Sequence, residues 1–363
     1  MKSLKTTGCF LLLSVFCSSF SAKAVTEAQF TDVLAKVLKD SSAASLSAAV
    51  AVDGKLDNAV AVGYADKAND IKATVQTLYR TGSVSKVITT TAFMPLVEQQ
   101  KVSLEDSISQ YLPYLPEHYQ PVTLKHLFSH TSGVRHYQFG EYGTNIHYPS
   151  LEAATRVFRD DPLRFSPGSA YLYSTYGINL IQGVIESVSG QSLSDYLTQA
   201  LWQKAGMIHT QLEVSGQQPP TMAVGYRKWP SFMPVKDIDV SNKYVGGGML
   251  TTPSDLVRMT SALMNGKLMQ DATREKMLSV AFPEASKDQA IGWIWREYKG
   301  HRAFSHSGGI NGFESFLLHL PELSISVALM VNVDDFDYTG RTTYQLLDLY
   351  LSELKLTTAM RVE

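Results

Sequence analysis

Strand-like segments lie at both ends of this chain, and a long helical stretch separates them. Two alternating runs, 46–52 and 59–63, flank Asp53-Gly54, a dipeptide typical of β-hairpins. Helical periodicity dominates from 151 to about 280, and strand patterns return after that. We therefore predict an α+β fold. Its antiparallel sheet is built from both ends of the chain, is flanked by helices, and carries an inserted all-α lobe.

The individual segments follow from the same periodicities. An α/β lobe would comprise 25–105 and 286–363, and a mainly helical lobe would comprise 106–285. Pockets tend to form at such a seam between lobes. The predicted helices are 26–41, a helix beginning near 83, 123–133, 151–159, 176–188, 192–204, 254–265 and 341–355, and the later strands are 292–295, 303–306, 314–319 and 324–333.

Residues 1–24 have the pattern of a cleavable secretory signal peptide. Lys2 and Lys5 precede an apolar run, and Ala22-Lys23-Ala24 forms a small-residue cleavage site. The run is too short to span a bilayer, which takes about 20 residues. Cys17 leaves a lipoprotein as an alternative, although the small residue that such sites prefer before the cysteine is missing. We expect a periplasmic or secreted protein, cleaved near Ala24.

Composition excludes several kinds of chemistry. Both cysteines, Cys9 and Cys17, lie in the predicted signal peptide, so the mature chain would have no thiol for disulfides, catalysis or zinc. The formal charge of −2 becomes more negative when the lysines of that segment are lost. This balance argues against a nucleic-acid surface or a polybasic membrane patch. The length suits two packed lobes, and no later segment is apolar enough to span a membrane.

The most informative motif is Ser83-x-x-Lys86. An extended run leads to Gly82, which permits a sharp turn, and an apolar helix follows. Residues three apart share one face of a helix, so Lys86 would lie beside Ser83. A buried lysine with a lowered pKa can take the proton of a serine and make it a nucleophile. Helix capping by Ser83 is the structural alternative, and Ser352-x-x-Lys355 in the last helix repeats the pattern without its context.

Two further motifs contain candidate partners. Tyr173 follows a Pro-Gly turn in a loop that enters a helix near Gly177, and a protonated lysine nearby would lower its pKa and make it a general acid or base. A half-buried structural tyrosine is the alternative. Downstream, a strand with His306 runs into glycines, and the N–H of Gly309 could complete an oxyanion hole with that of Ser83. His306 could also be a satisfied histidine at a strand end.

The three motifs, in this order and at these spacings, resemble those of the penicillin-recognising serine hydrolases, with Ser-x-x-Lys, Tyr-x-Asn and Lys-Thr-Gly. The likeness covers nearly all of the mature chain. It is closest to the class C β-lactamase-like branch, and within it to the LACTB-type serine β-lactamase-like proteins. The segments that carry it are 127–137, Tyr173-Ser174-Thr175 and His306-Ser307-Gly308-Gly309.

This resemblance implies a β-lactamase/transpeptidase-like fold and a role for each matching residue. Ser83 would be acylated, Lys86 would be its base, and Tyr173 would pass a proton to the leaving group and help activate the deacylating water. Ser83 and Gly309 would form the oxyanion hole. His306, Ser307, Gly308 and Thr175 would bind substrate.

Two departures from the pattern bear on the substrate. Thr175 stands where asparagine is usual, and His306 stands where lysine is usual, so we expect a weaker, pH-dependent positive charge in the cleft. We therefore expect an exported serine hydrolase that acts on an amide, peptide or ester, with weak or absent β-lactamase activity. We expect no cofactor, no metal and no nucleic acid, and a small-molecule or peptide substrate, with cell-wall peptides within reach.

Alternatives of other classes remain at this stage. His126, His130 and His136 could bind zinc, although the glutamate of a zinc-protease motif is missing. A Ser-His-Asp hydrolase would carry a G-x-S-x-G elbow, which the chain lacks. The main rival is a catalytically inactive binding or self-assembling protein on the same scaffold. Failure to react with covalent serine probes would favour it.

Overall fold

The computed structural model describes residues 25–228, 232–334, 336 and 338–362. The predicted signal peptide lies outside this range. The helices are α1 (Glu27–Asp40), α2 (Val84–Glu98), α3 (Leu124–Phe128), α4 (Leu151–Thr155), α5 (Thr175–Ser189), α6 (Leu193–Leu197), α7 (Gln203–Ala205), α8 (Tyr244–Gly247), α9 (Pro253–Met264), α10 (Asp271–Leu278) and α11 (Thr339–Val362). The strands are β1 (Ser45–Val52), β2 (Lys55–Asp66), β3 (Ile71–Lys72), β4 (Tyr79–Arg80), β5 (Gln211–Leu212), β6 (Tyr226–Arg227), β7 (Met233–Pro234), β8 (Met249–Thr251), β9 (Ile294–Tyr298), β10 (His301–Ile310), β11 (Phe313–Leu320) and β12 (Ile325–Val331).

The main sheet joins strands from both ends of the chain. Its order is β3-β2-β1-β12-β11-β10-β9, and all neighbours are antiparallel. Asp53 and Gly54, with φ of 49° and 74°, form the tight turn between β1 and β2. Positive φ at two successive turn residues matches the right-handed twist of the flanking strands. The sheet and helices therefore form the predicted α+β arrangement, while the lobe boundaries near 105 and 286 stay a prediction.

Apolar layers cover both faces of this sheet. On one face, Phe30 of α1 and Leu346 of α11 pack with strand residues such as Leu318. On the other, Leu317 joins a larger core that contains Phe93 of α2. The adjacent residues 317 and 318 belong to different cores because side chains alternate along a strand. This sandwich holds α2, the helix of the Ser83 motif, against the sheet.

Several predicted segments end elsewhere in the structure; the helix predicted over 151–159, for example, ends at Thr155. The helix predicted over 123–133 ends at Phe128, because His130 has φ of 57°, a left-handed conformation that stops a helix. The strand predicted at 292–295 begins only at Ile294. At Gly292 φ is 75°, and a Cβ there would lie 2.1 Å from Thr90 Oγ1, so the chain turns where it packs against α2.

Among the described residues no helix has the length and apolar character that a membrane span requires.

Candidate active site

Ser83 stands at the junction of a strand, a turn and a helix, as predicted. β4 leads to Gly82, whose φ is 49°, and α2 begins at Val84. A Cβ at Gly82 would lie 2.7 Å from the nitrogen of Gly309, so the close approach of the two segments requires glycine. The Ser83 side chain makes no capping hydrogen bond. The capping alternative is therefore wrong, and the hydroxyl is available for other contacts.

Lys86 lies one turn into α2 and is buried beside this hydroxyl. Its Nζ donates to Ser83 Oγ at 3.1 Å and to the carbonyl oxygen of Gly246 at 2.6 Å. Only 1 % of the residue is exposed. Burial penalises the ammonium form and lowers the pKa of Lys86 to about 7. A large fraction of this amine is therefore neutral near pH 7 and can accept a proton.

Tyr173 reaches Ser83 from the opposite element. It lies just before α5, which begins at Thr175 rather than near Gly177, and its hydroxyl donates to Ser83 Oγ at 2.7 Å. Burial raises the pKa of Tyr173 to about 12, although the hydroxyls of Ser83 and Thr175 lower it. The predicted fall in this pKa was wrong because desolvation outweighs the neighbouring groups. Tyr173 is consequently a proton donor at neutral pH.

Three histidines surround the ring of Tyr173. Ring centroids lie 4.4 Å away for His130, 5.5 Å for His136 and 6.5 Å for His306. Burial, followed by the charge of Lys86, lowers the pKa of His136 and of His306 to about 4, and that of His130 well below its usual value. The expected pH-dependent charge on His306 is therefore absent near neutral pH. Its Nδ1 donates to the carbonyl oxygen of Ser307 at 2.6 Å.

The glycines of β10 lie against the turn that carries Ser83. A Cβ at Gly308 would lie 2.9 Å from the Ser83 nitrogen, so the two backbones are in close contact. β9 pairs with β10 only from His301 to Ser305, whereas β11 pairs with it as far as Ile310. Residues 306–310 of β10 therefore have one edge that is not paired with β9, and this edge faces the site. The N–H groups of Ser83 and Gly309 lie on these apposed segments, and their joint oxyanion-hole role stays a prediction.

A small cavity of about 70 Å³ lies directly at these groups. Of the residues predicted from the sequence, Ser83, Tyr173, Thr175 and Gly309 line it, whereas Lys86, His306, Ser307 and Gly308 do not. Within the described residues, larger cavities exist elsewhere, but they lie away from Ser83. The remaining lining residues are Gly82, His136, Tyr137, Tyr142, Lys243, Gly246, Gly247 and Ile310.

Several of these residues were missed in the sequence. The run Gly246-Gly247-Gly248 is visible in the sequence. The structure shows that Gly246 is needed for close packing, because a Cβ there would lie 2.4 Å from Asn179 Oδ1. Lys243, just before this run, carries no local signal of burial. Only the fold places it beside the cavity.

The zinc alternative finds no support in the geometry. His126 Nδ1 contacts Thr123 at the start of α3 and its ring stacks on Phe282, while His130 packs on Tyr173. In the part of the chain that the structure describes, no three His, Cys, Asp or Glu residues cluster as metal ligands. The second Ser-x-x-Lys pattern also differs, because Ser352 donates to the carbonyl oxygen of Asp348 within α11.

An α+β fold with a serine, a buried lysine and a tyrosine in contact defines the class of β-lactamase-like serine hydrolases. The chain belongs to the Beta-lactamase family, whose sequence model matches residues 30–350. Curated relatives include the human mitochondrial serine beta-lactamase-like protein LACTB, 25 % identical over 84 % of this chain and 74 % of that protein. The putative penicillin-binding protein PbpX of Bacillus subtilis is 27 % identical over 83 % and 75 %.

Solved structures confirm the predicted β-lactamase/transpeptidase-like fold. The octameric penicillin-binding protein homologue from Pyrococcus abyssi has a TM-score of 0.80 at 22 % identity, covering 90 % of this chain and 78 % of that one. D-amino acid amidase from Ochrobactrum anthropi SV3 has a TM-score of 0.77 at 19 % identity, covering 91 % and 99 %. At these identities the likeness shows the fold alone.

Proposed function

We propose that this chain is an exported serine hydrolase that forms an acyl-enzyme on Ser83. One observation carries the proposal: Ser83 Oγ lies between Lys86 Nζ at 3.1 Å and the Tyr173 hydroxyl at 2.7 Å. A neutral amine and a protonated phenol at one hydroxyl provide a base and an acid for the same reaction. Export rests on the signal-peptide pattern of 1–24.

In acylation, neutral Lys86 takes the proton of Ser83 while Oγ attacks the carbonyl carbon of the substrate. The carbonyl oxygen becomes an oxyanion, which the N–H groups of Ser83 and Gly309 would stabilise. Tyr173 donates its proton to the departing amine or alcohol, and the proton held by Lys86 restores the phenol. An ester of Ser83 and a neutral leaving group result.

In deacylation, water attacks this ester. The proton of the water passes through Tyr173 towards Lys86, and Ser83 Oγ leaves with a proton as the acid product forms. No metal or organic cofactor takes part in the proposed steps. The same residues thus act in both half-reactions, with the direction of proton transfer reversed.

The proposed substrates are amides, peptides or esters. The structural relatives include a D-amino acid amidase and EstCE1, described as a hydrolase with promiscuous acyltransferase activity. We propose weak or absent β-lactam hydrolysis because Thr175 replaces the usual amide and His306 is neutral at pH 7. A neutral imidazole at this place on β10 attracts an anionic β-lactam less than a lysine at the same place would.

Reaction with a fluorophosphonate tests the proposal. We expect the intact mass of the wild-type protein to show a single adduct, because a base beside Ser83 makes it nucleophilic. Ser83→Ala should show none. Ser85→Ala is a matched control, since Ser85 lies on the same helix but its hydroxyl contacts Thr81 Oγ1. An unmodified folded wild type would favour the inactive binding protein, and an adduct on Ser83→Ala would identify another nucleophile.

The pH profile should identify the base. Because Lys86 accepts a proton only when neutral, kcat/KM for a nitrophenyl ester should rise with pH through a pKa of about 7 and fall away below it. Measurement between about pH 3 and 9 covers this limb and the region near pH 4. A limb near pH 4 would instead point to His136 or His306.

A further inference from the structure

Lys243 is a buried cation whose ammonium group makes no hydrogen bond to the residues that the structure describes. It lies immediately before α8 and is 2 % exposed. The rings of Tyr137 and Tyr142 lie 5.1 and 5.5 Å from Nζ. The faces of aromatic rings attract an ammonium group, but they have no oxygen or nitrogen atom that accepts a hydrogen bond from it. A buried ammonium without an acceptor is costly, and such cases call for an explanation.

The carboxylates that influence Lys243 are bound to other groups. Glu213 forms a bidentate pair with Arg80, at 2.8 and 3.0 Å from Nε. Asp239 accepts from the backbone N–H of Ser241 at 2.7 Å and contacts His147 at 3.0 Å. Neither makes an ion pair with Lys243 in the described part of the chain. The positive charge of this lysine is therefore not neutralised by a direct contact.

Lys243 belongs to the wall of the cavity that holds Ser83. The turn it begins ends at Gly247, and within that turn the carbonyl oxygen of Gly246 accepts from Lys86. One short segment thus positions both lysines. Tyr142 lines the same cavity, and its hydroxyl accepts from the N–H of Asn311 at 3.3 Å.

The charge of the site consequently differs from the one that the family pattern implies. His306, at the position where lysine is usual, is neutral at pH 7. Burial lowers the pKa of Lys243 to about 8; Asp239 and Glu213 raise it, and Arg80 and Lys86 lower it further. Lys243 is thus mostly protonated at pH 7. The positive charge of the site therefore lies on Lys243, beside Tyr137 and Tyr142, instead of on β10.

We propose that Lys243 binds a carboxylate of the substrate and thereby makes the enzyme selective for anionic acyl donors. The inference rests on the proposed function. A carboxylate suits this site better than a phosphate, because one lysine supplies a single charge and the cavity is small. Binding would give Nζ the acceptor that it lacks.

Matched ester pairs test this selectivity. In one pair the carboxylate is on the acyl group: 4-nitrophenyl hydrogen glutarate against its neutral methyl ester. In the other it is on the leaving group: 4-carboxyphenyl butyrate against 4-carbamoylphenyl butyrate. In at least one pair, the ratio of kcat/KM for the anionic over the neutral ester should fall about 10- to 100-fold in Lys243→Met.

Two variants serve as controls. Lys243→Arg keeps the charge and should retain most of the preference for the anionic ester. Lys204→Met removes an exposed lysine on α7 and should leave the ratio unchanged. Circular dichroism and melting temperature establish that each variant is folded.

The outcomes separate this inference from the proposed function. A reactive wild type with equal ratios in wild type and Lys243→Met would overturn the carboxylate role alone. So would an equal loss for both members of each pair, which would make Lys243 structural. A folded wild type that hydrolyses no ester and takes no fluorophosphonate would overturn the proposed function, and the carboxylate role with it.

Discussion

Lys86→Met should slow acylation of Ser83 at pH 7 by about 10²- to 10⁴-fold, the usual contribution of a positioned general base. Methionine keeps most of the side-chain volume but has no lone pair that can take the serine proton. Tyr173 cannot substitute as the base, because its pKa is raised to about 12. The rate of fluorophosphonate adduct formation, followed by intact mass, measures the effect directly.

Loss of folding would not explain this result. At pH 7 the unfolded chain holds a proton on Lys86 that the buried site disfavours. The pKa of Lys86 is about 7 in the folded protein and 10.5 ordinarily, so burial of this lysine lowers the free energy of unfolding increasingly as pH falls from 10.5 to 7, and by a constant amount below pH 7. Each pH unit within that range adds about 1.4 kcal/mol to this cost. Methionine removes the cost but leaves the Gly246 carbonyl without its donor, a loss of about 1–3 kcal/mol. We expect a melting temperature at or above that of wild type.

An exposed lysine provides the matched control. Lys101→Met, just beyond the end of α2, should react at the wild-type rate. In Lys86→Met the rising limb of the pH profile near 7 should also disappear. A Lys86→Met protein that reacts as fast as wild type, with the same limb, would exclude Lys86 as the base.

Ser83 and Lys86, the proposed nucleophile and base, could be placed from the sequence because their geometry is local. A strand, a glycine turn and an apolar helix fix Ser83 at a helix end, and spacing alone brings Lys86 beside it. The same holds for the β1–β2 hairpin, whose turn residues specify their own backbone angles. Local patterns of this kind do not depend on what the rest of the chain packs against.

The protonation states could not be predicted in the same way because burial is a property of the whole fold. Tyr173 was expected to have a lowered pKa, yet burial of its hydroxyl away from water raises the pKa instead. Lys243 resembles a surface lysine in the sequence. It becomes a cavity residue only because the loop with Tyr137 and Tyr142 folds over it.

The left-handed residue His130 shows a third limit. Apolar periodicity and the terminal glycine favoured a helix as far as Gly133, whereas the chain leaves the helix at Ser129. The His130 ring then packs on Tyr173, and the carbonyl oxygen of His130 accepts a hydrogen bond from the N–H of Leu172 at 2.9 Å. Tertiary contacts therefore outweighed the local preference.

Tyr173→Phe should lower kcat by about 10²-fold or more for an amide substrate, the typical scale for a positioned acid. Phenylalanine keeps the ring that packs on His130 and removes only the hydroxyl that contacts Ser83 Oγ. The loss should be smaller for a nitrophenyl ester, because nitrophenolate is a weak base that departs without a proton. Steady-state kinetics with an amide and an ester of the same acyl group measure this difference.

Tyr171→Phe is the matched control for this variant. Tyr171 lies two residues earlier, is 39 % exposed, and its hydroxyl reaches only Gln289, at 3.5 Å. We expect wild-type turnover of both substrates. Fluorophosphonate labelling should keep its wild-type rate in Tyr173→Phe, because fluoride needs no proton from a phenol to leave, whereas in Lys86→Met it should be about 10²- to 10⁴-fold slower. If Tyr173→Phe loses amide and ester turnover equally, the hydroxyl positions Ser83 rather than protonating the leaving group. If it loses neither, Tyr173 is a buried aromatic with a structural role.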